Sequence, residues 1–361
     1  MPLIIKYCAG IIRVLMFGED MKIISFFNNK GGVGKTTLTG NIASYFAFEL
    51  NKRVLVVDCD PQCNITQYVL GDERTIDLYW PKDGAKGNVR AKTIMDVVQP
   101  IVDGDATINS HVKPLLARNN RFGVDLVPGD PRFSLFEDQL SQAWNEIPSG
   151  KAGGFRVSNW LKSYLESVSD KYDIAFVDVS PSLGAINRSV LLSCDNFLTP
   201  LGADAFSLLG VRNISRWIST WLEYYEVGLQ QAERFNAGML AKYGISKDIP
   251  IREGYIGYTL QQYIAKSKEG VRRPTRAYER ILNDVPVEVG QHLSAFAPQN
   301  ADLRLGDVPN LYSLIPLAQT VNSPIIALKS KDGLIGSQFS QAENYKSIIG
   351  LLASSIASRV F

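Results

Sequence analysis

Apolar and polar residues alternate along this chain in blocks that predict strands followed by helices. Short runs that are apolar almost throughout are typical of strands buried on both faces of a sheet. Such runs lie at 21–27, 53–58, 172–178 and 196–201. Stretches with apolar residues at helical spacing lie at 38–50, 155–169, 217–225 and 340–360. Repeated strand–helix units of this kind predict an α/β fold, with a mostly parallel, twisted sheet covered by helices on both faces.

Weaker signals complete the predicted order of elements. Further strands are indicated at 124–129, 251–258 and 313–317. Residues 70–92 and 225–248 are longer than ordinary connections, and we interpret them as inserts. Either insert is a partner surface or a solvated excursion. Because ligands of parallel α/β sheets bind beyond the carboxyl ends of the strands, we expect the functional site at that edge.

The most informative stretch begins directly after the first predicted strand. Residues 30–37 read K-G-G-V-G-K-T-T and match the pattern G-x-x-x-x-G-K-[ST] at Gly34, Lys35 and Thr36. Asn29 stands where that pattern has its first glycine. A strand before the glycine-rich loop and a helix after it form the context in which such a match is meaningful. The chain is therefore predicted to be a P-loop protein that binds a nucleoside triphosphate.

Each residue type in this loop has a physical reason. The backbone N–H groups of a glycine-rich loop and of a helix N-terminus form a positive concavity that suits phosphate. We expect Lys35 to contact the β- and γ-phosphates and the Thr36 hydroxyl to complete the shell of a Mg²⁺ ion. The residues predicted to bind the nucleotide are Gly31, Gly32, Val33, Gly34, Lys35, Thr36 and Thr37.

Composition narrows the class of protein only a little. With 361 residues, 45% of them hydrophobic, the chain can bury a large core. The net charge is +2, so an argument for nucleic acid must rest on a local cluster. Cys59 and Cys63 have a spacing that could hold a metal or form a redox pair, but no histidine is nearby. Reduced cysteines in the cytoplasm are the simpler interpretation.

The first twenty residues pose a separate question. Lys6, Gly10 and Arg13 interrupt their apolar stretches, and none of these approaches the roughly 20 residues of a membrane span. Met21 stands immediately ahead of the first predicted strand. We interpret residues 1–20 as an upstream extension, with a short amphipathic membrane- or partner-binding helix as the alternative. Residues 21–361 are then one nucleotide-binding domain.

The phosphate-loop sequence resembles the deviant Walker A motif of the ParA/MinD family of ATPases, which is marked by an additional lysine, here Lys30. Residues 54–64, V-L-V-V-D-C-D-P-Q-C-N, resemble the second motif of that family. Residues 172–184, Y-D-I-A-F-V-D-V-S-P-S-L-G, resemble its Walker B strand and the switch that follows. Residues 198–209 resemble the segment after the next strand. The motifs stand in the family's order, and the resemblance covers about residues 21–328.

The resemblance implies a role for each matching residue. Lys30 would cross a dimer interface and contact the phosphates bound by the other subunit, so that two ATP molecules lie between two chains. Asp60 would orient the attacking water. Together with Lys35, these two residues form the implied catalytic set. Mg²⁺ would be organised by the Thr36 hydroxyl and, through water, by two carboxylates. The residues implied for the metal are Thr36, Asp58 and Asp178.

Two positions depart from the family's pattern. Cys63 stands where the second motif usually has glycine, and Ser180 stands where the switch usually has its first proline. Both positions lie in switch-like segments. These departures therefore bear on the rate of hydrolysis and on the switching geometry rather than on ATP binding.

The resemblance also implies a biological cycle. An ATPase of this family dimerises on ATP, binds DNA without sequence preference, and is switched off when a ParB-like activator stimulates slow hydrolysis. Such a cycle serves plasmid or chromosome partition, or the positioning of another cargo, in the cytoplasm on the nucleoid. In this chain a local basic cluster supports DNA binding, with a solvated basic loop as the alternative. The candidate DNA contacts are Lys266, Lys268, Arg272, Arg273 and Arg276.

Two other kinds of protein share this phosphate loop. A MinD-like positioning ATPase would need a basic amphipathic tail, whereas residues 348–361 carry one base and favour a packed closing helix. A reductase of the same fold would need cysteines in its switch segments, and Cys194 follows a predicted helix instead. We therefore expect a ParA-like ATPase, with the membrane ATPase as the alternative.

Overall fold

The structure is a computed structural model that describes residues 20–80, 91–263, 266–268, 271–273, 276–309, 311 and 313–361. Within these ranges, the backbone alone is described for 262, 263, 266–268, 271–273 and 276–278. The predicted N-terminal extension lies outside the described residues up to position 19, as do residues 81–90 of the first predicted insert.

The strands form one large sheet and one small one. They are β1 (Lys22–Phe26), β2 (Val54–Asp58), β3 (Asp125–Val127), β4 (Ile174–Asp178), β5 (Asn196–Gly202), β6 (Tyr255–Tyr263), β7 (Lys266–Lys268), β8 (Val271–Arg273) and β9 (Arg304–Pro309). The large sheet has the order β3-β2-β4-β1-β5-β6-β9, and all of its strand pairs are parallel. Among the described residues, β7 and β8 pair with each other alone, antiparallel. The sheet order places β1 between β4 and β5.

The helices cover both faces of the large sheet. They are α1 (Lys35–Phe48), α2 (Asn64–Leu70), α3 (Asp72–Tyr79), α4 (Ile94–Val102), α5 (Phe136–Glu146), α6 (Ala152–Ser158), α7 (Trp160–Glu166), α8 (Ala185–Ser193), α9 (Ala205–Phe235), α10 (Met239–Lys242), α11 (Arg276–His292), α12 (Leu314–Thr320) and α13 (Gln338–Val360). Leu55 and Val57 of β2 face a core built with α4 to α11, while Val54 and Val56 face a core built with α1, α2, α12 and α13. This period-2 alternation buries β2 on both faces and confirms the predicted α/β fold.

Several of the predicted elements were wrong in detail. The strand predicted at 251–258 begins only at Tyr255 and continues to Tyr263. Residues 313–317, predicted as a strand, lie mostly in α12, where Leu314 and Ala318 are buried one turn apart. The periodicity of a short apolar run does not distinguish a strand from a helix, and this explains the error. The helix predicted at 155–169 is interrupted at Asn159, whose side-chain amide donates to the carbonyl of Phe155 at 2.8 Å and to the Tyr225 hydroxyl at 2.9 Å. The side chain thereby competes with backbone N–H groups for the Phe155 carbonyl, a hydrogen-bond acceptor of the helix.

The last helix closes the core. Tyr345, Ile349, Leu352 and Ile356 of α13 are buried against the α1 side of the sheet. This is the packed closing helix that the sequence predicted, rather than a free amphipathic tail. In the described part of the chain, no helix has the length and apolar character needed to cross a membrane.

Candidate nucleotide-binding site

The loop between β1 and α1 is held from within by a buried asparagine. Asn28 donates its side-chain amide to the carbonyl of Pro200 at 2.6 Å and accepts the backbone N–H of Lys30 at 2.9 Å. Gly32 and Gly34 adopt φ values of 72° and 73°, in the left-handed region that favours glycine. These contacts fix a tight turn whose end is the N-terminus of α1. Asn28 was not predicted from the sequence, because its role depends on the neighbouring strand β5.

Lys35 is the first residue of α1, and its side chain folds back over the loop. Its ammonium donates to the carbonyl oxygens of Asn28 and Lys30, each at 3.1 Å. Burial lowers the pKa of Lys35, while the nearby charges of Asp178 and Asp60 act in the opposite direction. A buried cation therefore lies beside the predicted phosphate site, already positioned by the loop that it would serve.

Asp178 and Thr36 meet at the carboxyl end of β4. The Thr36 hydroxyl donates to one carboxylate oxygen of Asp178 at 2.9 Å. The other oxygen, Oδ1, is buried and has no hydrogen-bond partner among the described residues. Burial, and next the charge of Asp58, raise the pKa of Asp178 to about 8. An orphaned carboxylate oxygen beside a hydroxyl is the oxygen donor set that Mg²⁺ prefers, so these residues fit the ion.

Asp58 is adjacent to Asp178 in the sheet register but is held differently. It accepts hydrogen bonds from the Thr66 hydroxyl at 2.6 Å, the Thr66 N–H at 3.0 Å and the Asp60 N–H at 3.1 Å. Burial raises the pKa of Asp58 to about 7, although these bonds act to lower it. Since protein donors already occupy this carboxylate, it can reach a metal only through water.

Asp60 lies on the wall of the cavity, two residues beyond β2. Its carboxylate accepts the N–H of Gln62 at 2.9 Å. Burial raises the pKa of Asp60, and the charge of Lys35 partly offsets this. Asp60 therefore places a carboxylate near Lys35 at the edge of the open space in which a terminal phosphate would lie.

Lys35, Thr36 and Asp60 line an open cavity of about 610 Å³, within the usual size range of small-molecule sites, whereas Asp58 and Asp178 are fully buried next to it in sequence and sheet register. Its phosphate side consists of Gly31, Gly32, Gly34, Lys35, Thr36, Thr37 and Asp60. Val33 has a buried side chain in the same loop. The opposite side was not predicted from the sequence, because it joins α2 and α3 to the end of α12, far along the chain. It consists of Gln62, Asn64, Gln67, Tyr68, Asp72, Gln319, Thr320 and Asn322.

Lys30 does not line this cavity. Its ammonium pairs instead with the carboxylate of Asp204, the residue before α9. Asp204 was also missed as a site residue, although an aspartate directly before a helical pattern is a known cap signal. In this chain the additional lysine therefore lies beside the phosphate loop, on its outer surface.

The two departures from the family pattern have different structural surroundings. Cys63 precedes α2 with a φ of 55°, which places a non-glycine residue in the left-handed region. The resemblance implies glycine at this position, and the left-handed conformation of Cys63 is one that favours glycine. Ser180 lies in a segment organised by Asn187, whose amide donates to the carbonyls of Ser180 and Ser182 at 2.8 Å each. A serine at position 180 is accommodated without an unusual backbone conformation.

The predicted basic cluster lies mainly on the β7–β8 hairpin. Lys266 is the register partner of Arg273, and Arg272 is the partner of Ser267. Arg276 begins α11 directly after the hairpin. The backbone thus brings Lys266, Lys268, Arg272 and Arg273 together in one small sheet outside the seven-stranded one, and Arg276 follows at the start of α11.

The fold and this site define a P-loop NTPase. A family model described as an AAA domain matches residues 21–230, more than half of the chain. The virulence plasmid ParA family protein pGP5-D of Chlamydia muridarum is 28% identical over 200 residues, covering 55% of this chain and 62% of that protein. The sporulation initiation inhibitor protein Soj of Bacillus subtilis is 30% identical over 193 residues, covering 54% and 63%. The chain belongs to the ParA/MinD family of P-loop proteins, and it matches less than two thirds of the length of these relatives.

Solved structures extend the likeness to almost the whole chain. Protein DIP2308 of Corynebacterium diphtheriae is 32% identical, with a TM-score of 0.71 over 94% of this chain and 99% of that one. A variant of McdA from Cyanothece, solved in complex with ATP, is 15% identical with a TM-score of 0.59 over 94% and 98%. The second likeness shows a shared fold only.

Proposed function

We propose that this protein is a ParA-like ATPase whose ATP-bound form is a homodimer that binds DNA without sequence preference. Hydrolysis, stimulated by an activating protein, returns it to the monomer. Its role is partition of a plasmid or chromosome, or positioning of another cargo. The similarity of the chain to Soj of Bacillus subtilis and to the Chlamydia ParA family protein supports this class of ATPase.

One observation carries the proposal: the phosphate loop supplies two lysines in two different places. Lys35 lies inside the cavity, where a terminal phosphate would be, and Lys30 lies outside it on the surface. A lysine of the phosphate loop that lies outside its own cavity supports contact with a nucleotide bound by a second chain rather than its own. A compact ammonium on a flexible stem suits contact across such a gap.

The residues around the cavity have separate roles in ATP binding and hydrolysis. The N-terminus of α1 and Lys35 bind and orient the phosphates. The Thr36 hydroxyl would complete the shell of Mg²⁺, and the Asp178 and Asp58 carboxylates would act on the ion through water. Bound Mg²⁺ would neutralise charge on the phosphates. Asp60, with its carboxylate toward the cavity, would orient the attacking water by accepting its hydrogen bond.

DNA binding rests on the β7–β8 hairpin and the start of α11. Lys266 and Arg273 are opposite each other, and Lys268, Arg272 and Arg276 lie within the same small region. Several basic residues in one place bind phosphates by charge and release counterions, so the affinity should fall steeply with salt. Nothing in this arrangement favours one base sequence over another.

The test measures fluorescence anisotropy of a random-sequence DNA duplex of about 60 base pairs with the full chain at two salt concentrations. Each titration is done with ATP and Mg²⁺, with ADP and Mg²⁺, and without nucleotide. We expect binding only with ATP, weakening as salt rises. Equal binding in all three states contradicts the ATP switch. ATP-dependent dimers without DNA binding contradict the DNA partner and direct the search to vesicles containing anionic lipid, the MinD-like alternative.

A further inference from the structure

Lys30 has one ionic partner among the described residues, the carboxylate of Asp204 in its own chain. This contact joins the phosphate loop to the N-terminus of α9. Both side chains are partly exposed, with relative accessibilities of 32% and 37%. The pair therefore lies at the surface, where a second chain could replace one of its members.

We propose that Asp204 is a positioning residue that holds Lys30 in the monomer and gives it up to a nucleotide phosphate when two chains associate. The inference rests on the proposed function, because it concerns the regulation of the same dimer. The Lys30–Asp204 pair is then an internal competitor of the dimer, and its strength sets the concentration at which the ATP-bound chains associate.

The backbone of Lys30 is held by other contacts. When the ammonium exchanges Asp204 for a phosphate, only the Lys30 side chain therefore moves. Its N–H donates to the Asn28 side chain at 2.9 Å, and its carbonyl accepts the Lys35 ammonium at 3.1 Å. Neither contact involves the Lys30 ammonium. Breaking the ion pair therefore leaves the phosphate loop intact, and ATP binding by the monomer does not depend on it.

Asp204 also remains satisfied after Lys30 leaves. It caps α9 by accepting the N–H groups of Phe206 at 3.0 Å and Ser207 at 3.2 Å, and the Ser207 hydroxyl donates to it at 3.2 Å. Burial acts to raise the pKa of Asp204, but Lys30 and the two Ser207 donors together hold it below its usual value. A helix N-terminus stabilises the remaining carboxylate, so no charge is left unpaired.

The surface next to the pair is suited to a second copy of the chain. Phe206 and Leu209, in the first turns of α9, are 73% and 54% exposed. Gly210 packs this part of α9 closely on the loop, since a Cβ there would lie 3.0 Å from the Asn29 side chain. An apolar surface is therefore rigidly joined to the residue that holds Lys30. Burial of this surface in the dimer would accompany release of the pair.

Asp204→Asn tests the inference because asparagine caps a helix as well as aspartate but carries no charge. A partly exposed ion pair contributes about threefold to an equilibrium constant, and two pairs break per dimer, so we expect about tenfold tighter ATP-dependent dimerisation. The dimer constant is measured by sedimentation with ATP and Mg²⁺. The gain should shrink as salt rises, because salt screens the exposed pair of the wild type. ATP affinity of the monomer should not change.

Glu288→Gln is the matched control. It changes the net charge by the same amount and removes an ion pair to α9, that of Arg212, without touching Lys30. If both variants tighten ATP-dependent dimerisation, or if neither does, the proposed role of Asp204 is overturned. Lys30→Gln separates the two proposals: it should abolish the dimer. Suppose that the wild type dimerises on ATP, that Lys30→Gln does not, and that the dimer constant of Asp204→Asn equals that of the wild type. In that case the inference about Asp204 fails, while the proposed function stands. A wild-type monomer under all conditions contradicts the proposed function as well.

Discussion

The phosphate loop and the β7–β8 hairpin are the two regions predicted to contact phosphate, and they are built differently. In the loop, Lys35 is buried and bonded to two carbonyls, and Thr36 is bonded to a buried carboxylate. In the hairpin, the basic residues lie on two three-residue strands that pair with each other. The loop is suited to recognising phosphate by fixed geometry, so we expect each of its groups to be indispensable. The hairpin is suited to binding by summed charge, so each group contributes a share.

The largest effect of a single substitution is expected in the loop, from Lys35→Ala. Removing one member of a buried, hydrogen-bonded charge pair costs about 2–5 kcal/mol, which is an affinity loss of about 30-fold or more for ATP. Calorimetric titration of the full chain with ATP and Mg²⁺ measures this loss. Lys113→Ala, an exposed lysine outside the cavity, serves as the control and should bind ATP normally. A loss below about fivefold would show that Lys35 is not a phosphate ligand.

Asp60→Ala should separate binding from chemistry within the same site. Loss of a group that orients the attacking water lowers the rate of phosphate release by about 100-fold or more. ATP affinity should stay close to that of the wild type, because Asp60 is not placed to bind phosphate. Asp72→Ala removes another carboxylate of the same cavity and should leave the rate nearly unchanged. Equal rates for Asp60→Ala and Asp72→Ala would remove Asp60 from the catalytic set.

Substitutions in the hairpin should weaken DNA binding gradually, and the size of the effect should depend on salt. Arg272→Ala combined with Arg273→Ala should weaken binding to random DNA about tenfold and reduce the slope of log affinity against log salt by about 2, since each phosphate contact contributes roughly 0.9. Anisotropy titrations at several salt concentrations give both numbers. The control is Lys113→Ala combined with Arg118→Ala, which removes the same amount of positive charge from residues outside the hairpin. An unchanged slope in the hairpin variant would mean that the cluster is a solvated loop.

The smallest effect is expected beside the loop, at Cys63. Its left-handed backbone costs a non-glycine residue about 1 kcal/mol, and glycine avoids that cost. Cys63→Ala keeps the strain and loses the buried sulfur, so Cys63→Gly should be about 1 kcal/mol more stable than Cys63→Ala. Denaturant unfolding of both variants measures the difference. If alanine is the more stable of the two, the backbone at this position is not strained.

The sequence predicted the phosphate loop well because its signal is local. Residues 30–37 follow β1 and run into the first turn of α1, and the strands that end at Asp58 and Asp178 follow directly from apolar runs. Contacts between distant segments carried no such signal. Asn28 with Pro200, Lys30 with Asp204, and the cavity wall from Gln319 to Asn322 depend on how the strands are ordered in the sheet. Strand β9 was missed, since Gly306 and Asp307 interrupt its apolar pattern.

The central claim is that Lys30 acts between two chains. The direct measurement is the mass of the Asp60→Ala chain by sedimentation, with ATP and Mg²⁺ or with ADP and Mg²⁺, alone and combined with Lys30→Gln. Asp60→Ala should be a dimer with ATP and a monomer with ADP, and the combined variant should be a monomer with either nucleotide while still binding ATP. A dimer that persists without the Lys30 ammonium would contradict the account.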